Sequence, residues 1–147
     1  MRAIGFIFLI GVFATAGCTK NNRAPETRLD ETIPVDTKDT SGNNGARYRG
    51  NFSNGPYGTV SGAVTIYFQN GKYLLALERI GISNGPDLHV YLSKEMLPIN
   101  FIDLGKLKST NGNQLYEINN APDFAVYKYA LIHCQQYNHL FGSAELR

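Results

Sequence analysis

Turn signals punctuate this chain from residue 54 onward and limit what it can fold into. Asn54-Gly55-Pro56, Asn70-Gly71, Asn84-Gly85-Pro86, Asn111-Gly112 and Asn119-Asn120-Ala121-Pro122 each join a residue at ease with positive φ to a glycine or a proline. Between them lie Thr59 to Phe68, Tyr73 to Ile80, Asp87 to Ser93, Gln114 to Ile118, Val126 to Gln135 and Asn138 to Leu146, segments rich in β-branched and aromatic residues. No window of about a dozen residues has helical periodicity free of Gly or Pro, although Ser93 to Leu97 is expected to form one helical turn. The expected fold is all-β, a single antiparallel β-sandwich or flattened barrel.

Two stretches show the pattern most plainly. In Asn84-Gly85-Pro86-Asp87-Leu88-His89-Val90-Tyr91-Leu92-Ser93 a turn runs straight into a strand, with Leu88, Val90 and Leu92 on one face and His89, Tyr91 and Ser93 on the other. Phe68-Gln69-Asn70-Gly71-Lys72-Tyr73 reads as a hairpin, with Val64, Ile66 and Phe68 before the turn and Tyr73, Leu75 and Leu77 continuing the same apolar face. Ser-Asn-Gly-Pro occurs at Ser53 and again at Ser83 in unlike surroundings, so it reads as one turn chemistry used twice.

The first residues are of another kind. A basic start at Met1-Arg2 precedes an uncharged run from Ala3 to Phe13 and the small residues Ala14-Thr15-Ala16-Gly17, which reads as a signal peptide over 1–17. The apolar run is shorter than the roughly 20 residues that span a bilayer. Its end at Cys18 resembles a bacterial lipobox, which implies cleavage before Cys18, lipid on its thiol and an acylated amino terminus; the alternative is simple secretion with Cys18 a free thiol. The acyl chains would hold the protein at a membrane surface of the cell envelope, and Thr19 in place of Asp points to the outer membrane rather than the inner. Residues 18–46 carry few large apolar side chains, Leu29, Ile33 and Val35, and are expected to form a disordered tether whose ends lie roughly 30 Å apart. Residues 47–147 are then the folded β domain.

A hydrophobic fraction of 43% suits a packed domain, and a net charge of +2 directs no partner. With no basic stripe and no interleaving of Arg or Lys with aromatics, nucleic-acid binding is excluded. Ser61-Gly62 and Ser143 lack a Gly-x-Ser-x-Gly setting, Asp87, Asp103 and Asp123 sit beside turn residues, and no glycine-rich phosphate loop precedes a helix. No catalytic constellation is recognisable.

Beyond the leader one thiol remains, Cys134, so no intramolecular disulfide can form. Its strand phase, shared with Val126, Ala130 and Ile132, fits a buried, inert residue; a reactive thiol requires accessibility. His133 and Cys134 are adjacent and point to opposite faces of a strand. His89, Cys134 and His139 follow the ligand order of cupredoxins, with no methionine after His139 to serve as axial ligand, and copper at these residues is an alternative reading. Otherwise the residues imply no cofactor. Tyr67, Tyr91, Tyr127, Tyr129 and Tyr137 are expected to be exposed, lining a ligand surface or filling cross-strand pairs.

Five blocks together carry a resemblance. Val60-Ser61-Gly62-Ala63-Val64, Asn84 to Leu92, Leu104-Gly105-Lys106-Leu107-Lys108 with Gly112 and Tyr116, Ile132-His133-Cys134, and Phe141 to Leu146 resemble the DM-thirteen domain over almost all of residues 47–147. That family is similar to the DOMON class of extracytoplasmic β-sandwiches. The resemblance implies an electron-transfer role through the cysteine near the C-terminus, here Cys134, with a redox partner protein. Two functions are therefore expected in competition: a membrane-anchored redox domain centred on Cys134, and a non-catalytic binding module in which Cys134 is core and the tyrosines with the Pro86 and Pro122 loops form a contact surface.

Overall fold

A computed structural model of the chain describes residues 22–34 and 45–147. The signal peptide, Cys18 and the 35–44 part of the tether lie outside the described residues. Among the described residues ten strands form two five-stranded sheets. The first runs β1 (Leu29–Asp30), β8 (Asn111–Ile118), β5 (Lys72–Ile82), β4 (Val60–Gln69), β2 (Gly45–Asn51); the second runs β3 (Ser53–Asn54), β10 (His139–Glu145), β9 (Tyr129–Cys134), β6 (Leu88–Ser93), β7 (Phe101–Lys106). The sheets pack face to face as a sandwich and do not close into a barrel.

The hairpin at Asn70-Gly71 forms as expected. Gln69 pairs with Lys72, and both turn residues have positive φ (52° and 80°), the geometry that follows the twist of the flanking strands. Val64, Ile66, Leu75 and Leu77 from this ribbon meet Leu88, Val90, Leu92, Ala130, Ile132 and Cys134 from the second sheet in one apolar core. Alternation on β6 and β9 thus places their inner faces correctly. Val126 does not share the Cys134 face, because it precedes β9 in an exposed turn where its N–H bonds to the Asp123 carbonyl. The two Ser-Asn-Gly-Pro turns converge on one residue, Phe141. Gly55 N–H donates to the Phe141 carbonyl (2.7 Å), and a side chain at Gly85 would strike the Phe141 ring.

Three expectations are overturned. Ser93 to Leu97 forms bends rather than a helical turn, because the Ser93 hydroxyl bonds to the Leu97 and Asn100 carbonyls and closes the β6–β7 loop. Tyr67 and Tyr91 are buried, not exposed; Tyr91 lies on the outer face of β6 beneath Phe101, with Leu131 and Leu140 beside it. Residues 22–34, read as part of a disordered tether, are a strap bound along the sandwich. β1 pairs in parallel with β8, Ala24 enters the core, Pro25 and Thr27 carbonyls accept from Thr110 N–H (2.9 Å) and the Ser109 hydroxyl (2.6 Å), and the Glu31 carboxylate takes Leu115 N–H (2.7 Å) and Lys108 Nζ (2.9 Å). Polar and backbone bonds, which composition does not report, supply the ordering energy that apolar burial cannot.

Gln114 holds the corner that receives the strap. Fully buried, its Oε1 accepts from Lys108 N–H (3.1 Å) and the Tyr116 hydroxyl (2.8 Å), while Nε2 donates to the Ser109 carbonyl (2.6 Å). Gln114→Leu removes these bonds from the interior and takes the amide donor from the Ser109 carbonyl, and is expected to destabilise the domain by on the order of 2 kcal/mol, read as a lower urea midpoint. Gly112 faces Leu29 at a φ of 102°, and a Cβ there would run into the Leu29 carbonyl. Gly112→Ala is therefore expected to release the strap, seen as faster tryptic cleavage at Arg28, with a smaller shift of the global midpoint. Burial acts to raise the Glu31 carboxyl, but the Leu115 N–H and the Lys108 ammonium together outweigh it and hold the group below its ordinary range. The strap's stabilisation from Glu31 is thus complete above the unfolded value of about 4.3 and lost as pH falls through the lower folded one. Amide-exchange protection of Leu115 should fall across that acid window, and in Glu31→Gln should show no such step.

Candidate functional site

The candidate residues gather at the end of the second sheet where β6 begins and β9 stops. Asp87, the last residue of the turn, adopts φ 53°, a left-handed conformation that Asp tolerates better than most residues. Its N–H donates to the Asn22 carbonyl (2.9 Å), and its carbonyl accepts from Gln135 N–H (3.0 Å). The turn thereby ties the strap to the β9–β10 connection. Its carboxylate pairs with Lys106 Nζ at 2.7 Å, and that bond is the largest of the effects holding the Asp87 carboxyl below the usual carboxylate range.

Cys134 lies on the inner side of this rim. It pairs with Leu88 and His139 in register, is 1% exposed, and its thiol donates to the Pro86 carbonyl at 2.9 Å. The sulfur is thus sealed directly under the turn.

On the outer side, His89 Nδ1 lies 2.9 Å from Asp103 Oδ2, and the carboxylate fixes the proton on that nitrogen. His89 Nε2 is buried without a hydrogen-bond partner among the described residues and faces Asp87 Oδ1 at 3.6 Å. Across the ladder His89 stands opposite Lys106 on one side and His133 on the other. His133 Nε2 donates to Asn138 Oδ1 (3.1 Å), and burial is the main cause that depresses its pKa. Tyr91 lies beside both rings, with centroids 6.1 Å from His89 and 5.3 Å from His133, stacks on Phe101 at 4.1 Å, and accepts from Gln135 Nε2 (3.2 Å). Burial raises the Tyr91 phenol above its ordinary value, so it stays protonated.

The structure therefore brings Cys134, His89 and His139 to one end of the sandwich without joining them. The Cys134 sulfur faces the core, the His89 ring lies on the opposite side of the sheet, and His139 is stacked flat on Tyr57 at 3.7 Å with the Tyr137 ring tilted against it at 5.9 Å. Among the described residues no set of three or more His, Cys, Asp or Glu is grouped to hold a metal ion. Asp103, Lys106 and Gln135 join the site although spacing does not point to them. Asp103 and Lys106 lie on β7, an edge strand whose half-exposed pattern hides it, and only the alternation that puts His89 and Tyr91 on one face signals an outer network. Asp123 serves its own turn, accepting from Ala125 N–H (2.9 Å).

Chemically, this end offers one sealed thiol and, across the sheet, a run of polar contacts from Asp103 through His89 and Asp87 to Lys106. No curated protein and no solved structure matches the chain. Residues 51–146, well over half of its length, match the family model described as Electron transfer DM13. The core strands β4 to β10 and the whole rim from Asp87 to His139 fall inside that match, and the chain belongs to the Electron transfer DM13 family, whose description gives domains of this kind an electron-transfer role.

Proposed function

We propose that this domain transfers electrons at the bacterial cell envelope, held to the outer membrane by acylated Cys18, with the sulfur of Cys134 as the group that changes oxidation state. The observation that carries the reading is the position of that sulfur: at the rim of the core, it donates to the Pro86 carbonyl, in a turn whose next residue holds a left-handed conformation. Withdrawal of this one turn uncovers the thiol while the core beneath stays packed. The reaction partner is a protein disulfide. Deprotonated to solvent, Cys134 attacks one partner sulfur, the partner's S–S bond breaks, a Cys134–partner disulfide forms, and the second partner sulfur leaves as a thiolate. The S–S bonding pair leaves with the departing partner sulfur, which is reduced to the thiolate level, and Cys134 is oxidised from thiolate to the mixed disulfide.

A second reading rests on the same residue's burial. In a binding module Cys134 is a small core side chain, and the exposed Tyr57 and Tyr137 with the Pro86 turn form the contact surface.

The two are separated by the reaction of the full-length native protein with an aromatic disulfide reagent over a series of urea concentrations. For the redox reading the rate at Cys134 is expected to depend on urea much less steeply than global unfolding does, the mark of local opening. Cys134→Ser, whose hydroxyl also donates to Pro86, should fold with a loss of about 1 kcal/mol and not react. A rate that tracks global unfolding at every urea concentration would overturn the redox reading and leave the binding module.

A further inference from the structure

We infer that the Asp87–Cys134 end of the sandwich faces the lipid surface, with the apolar β6–β7 loop directed away from it; the inference rests on the proposal that Cys18 is the acylated residue. The strap decides the geometry. Its described part begins at Asn22, whose carbonyl accepts from Asp87 N–H at 2.9 Å, and Arg23 bridges to Pro86 in the next step. Four residue steps separate Cys18 from Asn22, and a fully extended chain spans at most about 14 Å over that length. A free tether to residue 46 would have let the domain stand roughly 30 Å away and turn at will. Docking of residues 22–34 removes that freedom, because the covalent link to the membrane now starts at the Asp87 rim.

The side chains at this rim suit the headgroup layer. Gln135 N–H bonds to the Asp87 carbonyl, so the 135–138 turn lies at the same end, and Tyr57 and Tyr137, each 57% exposed, flank His139 there. Tyrosine presents an apolar ring and a polar tip, the character that places it at membrane–water interfaces. Charges at the rim are mixed, with Arg23, Glu26, Asp87 and Lys106, and Lys106 is paired to Asp87, so no single-sign field opposes approach to an anionic surface.

The opposite end carries the more apolar exposed group, Met96, Leu97 and Ile99, in the loop after β6. That loop is separated from Asp87 by the six residues of β6, about 20 Å at the rise of a strand. Exposed hydrophobicity alone would turn this loop to the lipid; the strap turns it away. A partner that reaches Cys134 through the Pro86 turn then meets it at the level of the headgroups.

The chain contains no tryptophan, so a single introduced one reports its own surroundings. Full-length Tyr137→Trp and Leu97→Trp, purified from envelopes and placed in phosphatidylethanolamine–phosphatidylglycerol vesicles containing a headgroup nitroxide lipid, are compared by fluorescence quenching. Intact mass reads the acyl groups on Cys18. With Cys18 acylated, Tyr137→Trp is expected to lose most of its emission and Leu97→Trp to keep most of its own. Equal quenching, or stronger quenching at position 97, in an acylated protein would overturn the orientation and leave the anchor intact. A protein whose mass shows no acyl group overturns the anchor and the orientation together.

Discussion

Asp87 is held in a conformation that a non-glycine side chain disfavours, and four separate segments depend on its being held there. Its N–H fixes Asn22 of the strap, its carbonyl fixes Gln135 at the β9–β10 connection, its carboxylate fixes Lys106 on β7, and the carbonyl of the preceding Pro86 covers the Cys134 thiol. Proline sets one φ of the turn and Asp supplies the left-handed step with a side chain able to bond. Glycine at 87 would take the same φ more readily but would leave the Lys106 ammonium and the His89 ring without their common carboxylate.

This arrangement explains which parts of the fold can be read from sequence. Strands β4, β5, β6, β9 and β10 are announced by alternating apolar patterns, with Asn70-Gly71 marking the turn after β4 and Asn84-Gly85-Pro86 the turn between β5 and β6, because each of these strands gives side chains to one core. β2 and β7 have no such mark. They are edge strands with half-exposed residues, and pairing with β4 and β6 rather than burial makes them strands. The strap is the extreme case. Its composition is that of a disordered linker, yet its bonds to Ser109, Thr110, Leu115 and Lys108 are made by backbone and polar atoms that meet only after the domain has folded.

The candidate site divides in the same way. Cys134 is visible as the one thiol of the domain, and its face follows from its strand phase with Ala130 and Ile132. The Asp103–His89 pair is not visible, because it crosses from one strand to the next through a loop whose length does not reveal register, and a bulge between Val90 and Tyr91 shifts that register further. Tyr91 misleads for a related reason. Its alternation assigns it correctly to the outer face, but Phe101 and the neighbouring Leu131 and Leu140 bury that face locally.

The thiol and the imidazole network lie on opposite sides of one sheet, so neither acts directly on the other; what they share is the Pro86–Asp87 peptide. Movement that takes the Pro86 carbonyl off the sulfur also displaces Asp87, and with it the Lys106 ion pair, the contact with His89 and the hydrogen bond to Asn22. Uncovering the sulfur and loosening the strap are therefore one event and not two. An acyl anchor upstream of Asn22 would pull on the same peptide that seals the thiol, which gives the membrane a physical means of influencing a residue buried in the core.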